Sequence, residues 1–280
     1  MTMRCDAAKA GTPVIVGIPF DANSSWLRGP SGAPAIIRSA FHSDSWNSWT
    51  ETGVELGIEG AYCDAGDLNF TGATDKEPFG AIEARVGELL DQGLRPVCLG
   101  GDHSVTFPIV RAFGRASVKS VPGLTIIHFD AHSDLYDEFE GSRVSHACPF
   151  ARIMEEGAAQ RLIQVGIRTM NGHHRDQAKK FGVEVIEMRH LPALDRMKVK
   201  GPVYISFDMD VLDPAFAPGI SHREPGGMSV REAITHLHAI TGKIVGADIV
   251  EFNPLQDNTQ MTAMVAAKLL KEILGKMVLN

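Results

Sequence analysis

The chain has 280 residues, of which 44% are apolar and 22% charged, and its formal net charge is −7 at pH 7. This length suffices for a large core, so we expect residues 1–280 to form a single α/β domain. The acidic balance argues against nucleic acid as a partner, because phosphate binding needs a basic surface. No apolar run of about 18 residues is present, and the N-terminus lacks the apolar stretch of a secretory signal. We therefore expect no membrane association and a cytoplasmic location.

Strand-like and helical segments alternate along the chain. Strands are predicted at 13–18, 56–63, 95–99, 124–129, 161–167, 183–187, 202–207 and 244–250. Helices are predicted near 78–91, from Ser229 to Gly242 and from Met261 to Met277, where apolar residues recur at helical spacing. This alternation predicts a mostly parallel sheet covered on both faces, with ligands beyond the carboxyl ends of its strands. The aperiodic segments 21–54 and 133–147 are predicted to be functional loops.

The four cysteines are scattered along the chain and show no C-x-x-C spacing. We expect them to be free thiols in a reducing compartment rather than disulfides or zinc ligands. They are Cys5, Cys63, Cys98 and Cys148.

Three predicted strands end in residues that bind metals. The strand at 124–129 runs into Asp-Ala-His-Ser-Asp, whose residues 130, 132 and 134 share one side of the chain. The strand at 202–207 runs into Asp208 and Asp210, and the strand at 95–99 into Gly-Gly-Asp-His-Ser. Carboxylates and imidazoles gathered in one place need a cation between them. The candidate ligands are His103, Asp130, His132, Asp134, Asp208 and Asp210.

Charge counting favours two divalent cations over one. Four carboxylates carry four negative charges, and a single cation would leave a costly buried excess. Oxygen ligands with two imidazoles suit Mn²⁺, although Ni²⁺ and Co²⁺ also accept this set. Two ions sharing a water lower its pKa toward about 7, which makes a hydroxide nucleophile at neutral pH. We expect Asp102 to support the ligands, and Asp213 before Pro214 to form a turn.

These motifs resemble the three signatures of the ureohydrolases, the family of arginases and agmatinases. The resemblance rests on residues 100–104, 130–134 and 206–214 and extends from about Val14 to the last helix. It is strongest to plant-type arginases and agmatinases, which share segments such as Phe139-Glu140-Gly141 and the stretch 218–227. The resemblance implies a three-layer α/β/α sandwich that hydrolyses a guanidino compound to urea and an amine by metal-bridged hydroxide attack.

The resemblance also implies roles for particular residues. One metal takes His103, Asp130, Asp134 and Asp208, and the other takes His132, Asp130, Asp208 and Asp210. His146 falls at the proton-transfer position, and Glu251 at the position of the carboxylate that holds the guanidinium. Asn23, Ser142 and His222 are further candidates for substrate contact. The family usually uses two Mn²⁺ per chain and assembles as trimers or hexamers.

The rim of the predicted site departs from plant-type arginases. Ser142 and Val144 stand where Asn and Tyr are expected, which leaves open whether arginine, agmatine or another cationic guanidino compound is the substrate. The nearby Asp137 and Glu138 favour a second positive group on the substrate, or are simply solvated. Two alternatives stay open: a single-zinc amide deacetylase on a related fold, and a non-catalytic homologue that serves as a partner subunit.

Overall fold

The computed structural model describes residues 5, 8–70, 77–115 and 121–279. Within these residues eight strands form one sheet with seven α-helices around it. The strands are β1 Pro13–Gly17, β2 Cys63–Asp67, β3 Arg95–Leu99, β4 Thr125–Phe129, β5 Arg161–Ile167, β6 Glu184–Glu187, β7 Pro202–Asp208 and β8 Lys243–Val250. The helices are α1 Ala33–Phe41, α2 Glu77–Asp91, α3 Thr106–Arg115, α4 Pro149–Glu155, α5 Gly172–Phe181, α6 Val230–Ala239 and α7 Met261–Leu279.

The strands are ordered β2-β1-β3-β8-β7-β4-β5-β6 across the sheet, and every neighbouring pair is parallel. Parallel strands need long crossover connections, which the helices provide. Four central strands, β3, β8, β7 and β4, lie side by side, so their carboxyl ends open onto one edge of the sheet. This arrangement confirms the predicted parallel α/β sheet.

Two hydrophobic cores separate the sheet from its two helix layers. On one face, β-strand residues such as Ile127 and Phe129 pack with buried residues of α1, α6 and α7. On the other face, residues such as Ile126 and Tyr204 pack with α2, α3, α4 and α5. The side chains of one strand alternate between the two cores because successive residues point to opposite faces. The fold is therefore the three-layer α/β/α sandwich expected from the sequence.

Local signals fix the ends of several helices. Ser229 caps α6, where its hydroxyl accepts from the Glu232 N–H and the Glu232 carboxylate accepts from the Ser229 N–H. Gly182 ends α5 in the left-handed conformation, with φ of 65°. The α6 boundaries thus agree with the predicted start at Ser229 and end before Gly242. None of the helices in the described ranges is long and apolar enough to cross a lipid bilayer.

Two predicted elements are wrong. The segment 21–54 is not a continuous loop, because it contains α1. The buried residues of α1 recur at helical spacing, so the signal was present; they are Ala33, Pro34, Ile37, Ala40 and Phe41. The strand predicted at 56–63 lies instead at β2, an edge strand that pairs only with β1. Its acidic residues Asp64 and Asp67 form ion pairs with Arg38 of α1. An edge strand buries less surface than a central one, so the polar sequence of β2 lacks the apolar pattern from which strands were predicted.

The expectation of four free cysteines is also wrong. Cys5 and Cys63 form a disulfide, with their Cα atoms 5.4 Å apart. These residues are 58 positions apart in the sequence, and only the fold brings the N-terminal segment beside β2. Cys98 and Cys148 are free and buried, as expected.

Candidate metal centre and active site

All the residues predicted to act in catalysis or as metal ligands follow or end the four central strands, except His146. His103 follows β3, Asp130 to Asp134 follow β4, Asp208 and Asp210 lie at the end of β7, and Glu251 follows β8. The sequence places each group at a strand end, and the strand order places these ends next to one another. His146 comes from the long loop between β4 and α4.

The His103 imidazole lies among three carboxylates. Its Nδ1 is 3.0 Å from Asp208 Oδ2, 3.1 Å from Asp134 Oδ2 and 3.3 Å from Asp130 Oδ2. All four side chains are buried, and Nδ1 has no well-formed hydrogen bond to any residue that the structure describes. One imidazole N–H cannot satisfy three converging carboxylates, whereas a cation can. The set thus fits one predicted metal site.

His132 and Asp210 lie on the other side of Asp130. His132 Nδ1 is 2.9 Å from Asp210 Oδ2 and 3.5 Å from Asp130 Oδ1. The two oxygens of Asp130 therefore face the two histidines, one on each side, which fits a carboxylate shared between two ions. One donor atom each from Asp130, His132 and Asp210 lies within 4.8 Å of the others. This set fits the second predicted metal site.

Asp208 contacts both the short helical turn that follows it, residues 209–211, and His103. Its Oδ1 accepts from the Asp210 N–H at 2.8 Å, and its Oδ2 faces His103. Burial, and then the charges of Asp210 and Asp130, raise the pKa of Asp208 well above its ordinary value. Such repulsion among buried carboxylates is relieved by a bound cation. The shared role of Asp208 stays a prediction.

His128, a buried residue of β4 that the sequence analysis missed, supports Asp130. His128 Nε2 is 2.7 Å from Asp130 Oδ2, and His128 Nδ1 is 3.1 Å from the side-chain amide nitrogen of Gln164. The amide nitrogen of Gln164 also donates to the Ser133 carbonyl. The step of two residues that selected Asp130 and His132 extends backwards to residue 128, so the signal was present.

A second buried set supports His103 from β7 and β8. The Ser206 hydroxyl lies 3.0 Å from His103 Nε2 and donates to Asp248 Oδ1 at 2.8 Å. Asp248 Oδ2 also accepts from the hydroxyls of Tyr204 and Thr106. Partners of this kind fix the orientation of a metal-binding imidazole and leave its other nitrogen free for the ion. Sequence spacing alone does not connect Asp248 with His103.

Glu251 joins this centre from the end of β8. Its N–H donates to the Gly101 carbonyl at 2.9 Å, and its Oε1 accepts from the His103 N–H at 2.8 Å. The backbone of Glu251 has φ of 62°, an unfavourable conformation for a residue with a side chain. The residue is 3% exposed, and none of the described residues hydrogen-bonds to its Oε2. The Oε2 of this carboxylate is therefore available to a ligand beside the predicted metal ligands.

His146 is held between Glu251 and the loop that begins at residue 21. Its Nδ1 is 3.4 Å from Glu251 Oε1, and its Nε2 is 2.9 Å from the Ser25 hydroxyl. Burial by itself lowers the pKa of His146, but the hydrogen bond and charge of Glu251 outweigh it and raise the pKa to about 9. An imidazole with this pKa carries a proton at neutral pH.

Asn23 positions other groups and does not line the cavity. Its carbonyl accepts from the His146 N–H at 3.3 Å, and its N–H donates to Asp102 Oδ2 at 2.9 Å. Its side chain donates to Ser104. Asp102 also caps the turn that carries His103, so it supports the ligands as expected. Burial, and then the charge of Glu251, raise the pKa of Asp102 to about 7.

A cavity of about 220 Å³ opens over these groups. Its lining includes His132, Asp134, Asp208, Asp210, His146, Glu251 and His222, with Ser25, Tyr136, Phe139, Ala147, Thr169 and His174. Ser142 is not part of this lining, and its backbone pairs with that of Phe139. A larger cavity, of about 460 Å³ beside Trp46 and Lys271, contains none of the predicted residues.

Two other predictions concern the rim. The Asp137 carboxylate pairs with Arg143 and Arg152, so it is neither free for a cationic substrate nor merely solvated. Asp213 accepts from the N–H groups of Ala215, Gly226 and Gly227, which makes it the expected turn residue.

The fold and site together define a metal-dependent hydrolase. The family model described as "Arginase family" matches residues 12–275, and the chain belongs to that family. It is an enzyme that hydrolyses the C–N bonds of amidines.

The chain is 49% identical to Arginase 1, mitochondrial, of Arabidopsis thaliana, over 96% of this chain and 82% of the relative. It is 34% identical to the agmatinase of Bacillus anthracis, with 93% and 90% covered. The solved arginase from Medicago truncatula superposes with a TM-score of 0.90 at 45% identity, with 96% and 88% covered.

The expected cytoplasmic location is contradicted by these comparisons. Plant relatives are named as mitochondrial, and one from Arabidopsis thaliana as chloroplastic/mitochondrial. These names point to organelles, so the cytoplasmic expectation is wrong.

Proposed function

We propose that this chain hydrolyses a cationic guanidino compound to urea and an amine with two Mn²⁺ ions bound. The observation that carries the proposal is the free Oε2 of Glu251, a residue that lines the same cavity as two imidazole–carboxylate sets. A guanidinium is planar and has several N–H donors, so it pairs with a carboxylate through two hydrogen bonds. Ni²⁺ and Co²⁺ suit the same ligands.

The two ions, when bound, supply a water that ionises near neutral pH and positive charge beside the reacting carbon. Glu251 accepts hydrogen bonds from the guanidinium and orients its central carbon toward the metal ligands. The bond from that carbon to the substituted nitrogen breaks, and the oxygen of water becomes the oxygen of urea. His146 carries a proton at neutral pH and gives it to the departing amine nitrogen.

Arginine is the first candidate substrate, because the plant relatives that this chain resembles at 46–49% identity are named arginases. A specific feature favours agmatine or another guanidine without a carboxylate. None of the described residues that line the cavity is a lysine or an arginine. A buried carboxylate without a cationic or N–H partner binds poorly. Arginine therefore requires a partner for its carboxylate at the rim of the cavity, whereas agmatine does not.

Urea release tests this proposal. Protein loaded with Mn²⁺, Ni²⁺ or Co²⁺ is incubated with arginine, agmatine, guanidinobutyrate and guanidine, and urea and amine are measured. We expect equal amounts of urea and amine from at least one compound. The single-zinc deacetylase predicts one zinc per chain and no urea, and the non-catalytic homologue predicts no urea with any metal. We also propose a trimer or hexamer, which light scattering measures directly.

A further inference from the structure

His146, His222 and Glu251 form a third cluster of metal-binding side chains beside the two described above. One donor atom from each lies within 4.8 Å of the other two. The rings of His146 and His222 stack with their centroids 5.0 Å apart and their planes 25° from parallel. Both histidines and Glu251 line the 220 Å³ cavity, so solvent ions reach them. None of the three belongs to the six predicted ligands of the binuclear centre.

The spacing of His146 and Glu251 matches a small tetrahedral cation. Two ligands that each lie about 2.1 Å from a tetrahedral Zn²⁺ are about 3.4 Å apart. His146 Nδ1 and Glu251 Oε1 are separated by 3.4 Å. Two histidines and one glutamate also form a common set of protein ligands at zinc sites that keep a fourth position open. Mn²⁺ prefers more oxygen ligands than this cluster offers.

A second observation points to a ligand at this cluster, because one buried carboxylate oxygen in it has no hydrogen bond among the described residues. Glu251 is almost fully buried, with 3% of its surface exposed, and its Oε2 has no hydrogen-bond partner in the described part of the chain. His222 is partly buried in the loop after β7, beside His132 and His146.

We propose that His146, His222 and Glu251 bind a third divalent cation, Zn²⁺, and that this ion excludes the guanidino substrate. The exclusion follows because the ion occupies the carboxylate that holds the guanidinium and replaces the proton that His146 otherwise carries, which is released to solvent when the ion binds. The exclusion of substrate rests on the proposed function, whereas binding of the ion rests only on the geometry of the cluster. Zinc therefore inhibits this site without displacing the two catalytic ions.

Metal counting tests the site without any reference to activity. Protein that holds two Mn²⁺ per chain is titrated with Zn²⁺ and examined by native mass spectrometry. We expect two Mn²⁺ and one Zn²⁺ per chain in the wild type. In His222→Gln we expect two Mn²⁺ and no zinc, because a carboxamide is a poor zinc ligand. His190 is exposed and does not line the cavity, so His190→Gln serves as the matched control and keeps the third ion.

Two results overturn the proposed site. One is zinc that replaces Mn²⁺ while the total stays at two ions per chain. The other is equal zinc binding by the wild type and His222→Gln, since this variant removes one of the three ligands. Thermal melting of His222→Gln checks its folding, and Glu251→Asp, which keeps the carboxylate but shifts its position, is expected to weaken zinc binding without abolishing it.

Inhibition is then measured on any substrate that releases urea. Zinc is expected to compete with the substrate, and the zinc concentration for half inhibition is expected to rise at least about tenfold in His222→Gln. Zinc that binds without raising the apparent KM would contradict the exclusion and leave the site intact. If no compound releases urea, the proposed function fails while the metal count still decides the site.

Discussion

The Oε1 of Glu251 accepts a hydrogen bond from the backbone N–H of His103 at 2.8 Å. This bond connects the residue predicted to hold the substrate with the turn that carries the first metal ligand. The two residues are 148 positions apart in the sequence and meet because β8 and β3 are neighbours in the sheet. This contact therefore couples the predicted guanidinium site to the predicted metal centre.

Glu251→Gln separates the charge of this side chain from its structural role. The glutamine carbonyl still accepts from His103, but the ionic hydrogen bonds to a guanidinium are lost. A hydrogen bond to a charged group contributes about 1.5–3 kcal/mol, so we expect kcat/KM for urea release to fall about 10- to 150-fold. The metal content and the melting temperature are expected to match the wild type. An unchanged kcat/KM would show that Glu251 does not hold the substrate.

Ser206→Ala tests whether the buried hydroxyl orients His103. This variant removes the contact between the hydroxyl and His103 Nε2 and leaves the metal ligands themselves unchanged. Loss of such a supporting partner typically weakens metal binding about 10- to 100-fold. The dissociation constant for Mn²⁺ is the quantity to measure.

Thr106→Val is the matched control for Ser206→Ala. The Thr106 hydroxyl also donates to Asp248, but no hydrogen bond joins it to the His103 ring within the described residues. We expect this variant to affect Mn²⁺ binding much less than Ser206→Ala. An equal loss in both variants would mean that general disruption around Asp248, and not orientation of His103, explains the effect.

A pH-dependent contribution to stability is expected at Glu51, away from the active site. A hydrogen bond to Arg231 lowers the pKa of Glu51 to about 2, against burial and with help from Lys268. A carboxylate whose pKa is lowered by folding stabilises the protein above its unfolded pKa near 4.5 and loses this effect as the pH falls toward 2. Since the Glu51 side chain is about one-third exposed, the contribution is below about 1 kcal/mol.

The comparison of wild type with Glu51→Gln measures this contribution. We expect the wild type to melt higher at pH 6, by about 2–4 °C at most, and the difference to shrink between pH 5 and pH 2. Asp44→Asn, at an exposed position in the same part of the chain, serves as the control and is expected to change the melting temperature little at either pH. A difference between wild type and Glu51→Gln that grows as the pH falls would refute the predicted sign.

The sequence was sufficient to predict which side chains gather at the candidate metal centre, because each lies at or just beyond a strand end, several of them with a step of two residues. Asp130, His132 and Asp134 illustrate this, since their two-residue step predicted that they meet, although they lie just beyond the end of β4 at Phe129 and Asp134 has a left-handed φ of 48°. The pairing of Asp248 with His103 through Ser206 depends on the order of β3, β8 and β7, which periodicity does not reveal. His128 carried the same two-residue signal and was missed inside an apolar run.

Helix α1 was missed although its buried residues recur at helical spacing, because they lie within a segment rich in polar residues. Other misses have physical causes that a single sequence conceals. Strand β2 lies at the sheet edge and uses its acidic residues to bind Arg38. The disulfide between Cys5 and Cys63 depends on where the N-terminal segment lies, which residue spacing does not determine.

The central claim is that six side chains from separate strand ends hold two cations. Its most direct test is the metal content of purified protein after loading with Mn²⁺ and removal of free metal. We expect about two ions per chain in the wild type and one or fewer in Asp210→Ala. One ion in the wild type, or two in Asp210→Ala, would contradict the binuclear centre described by these residues.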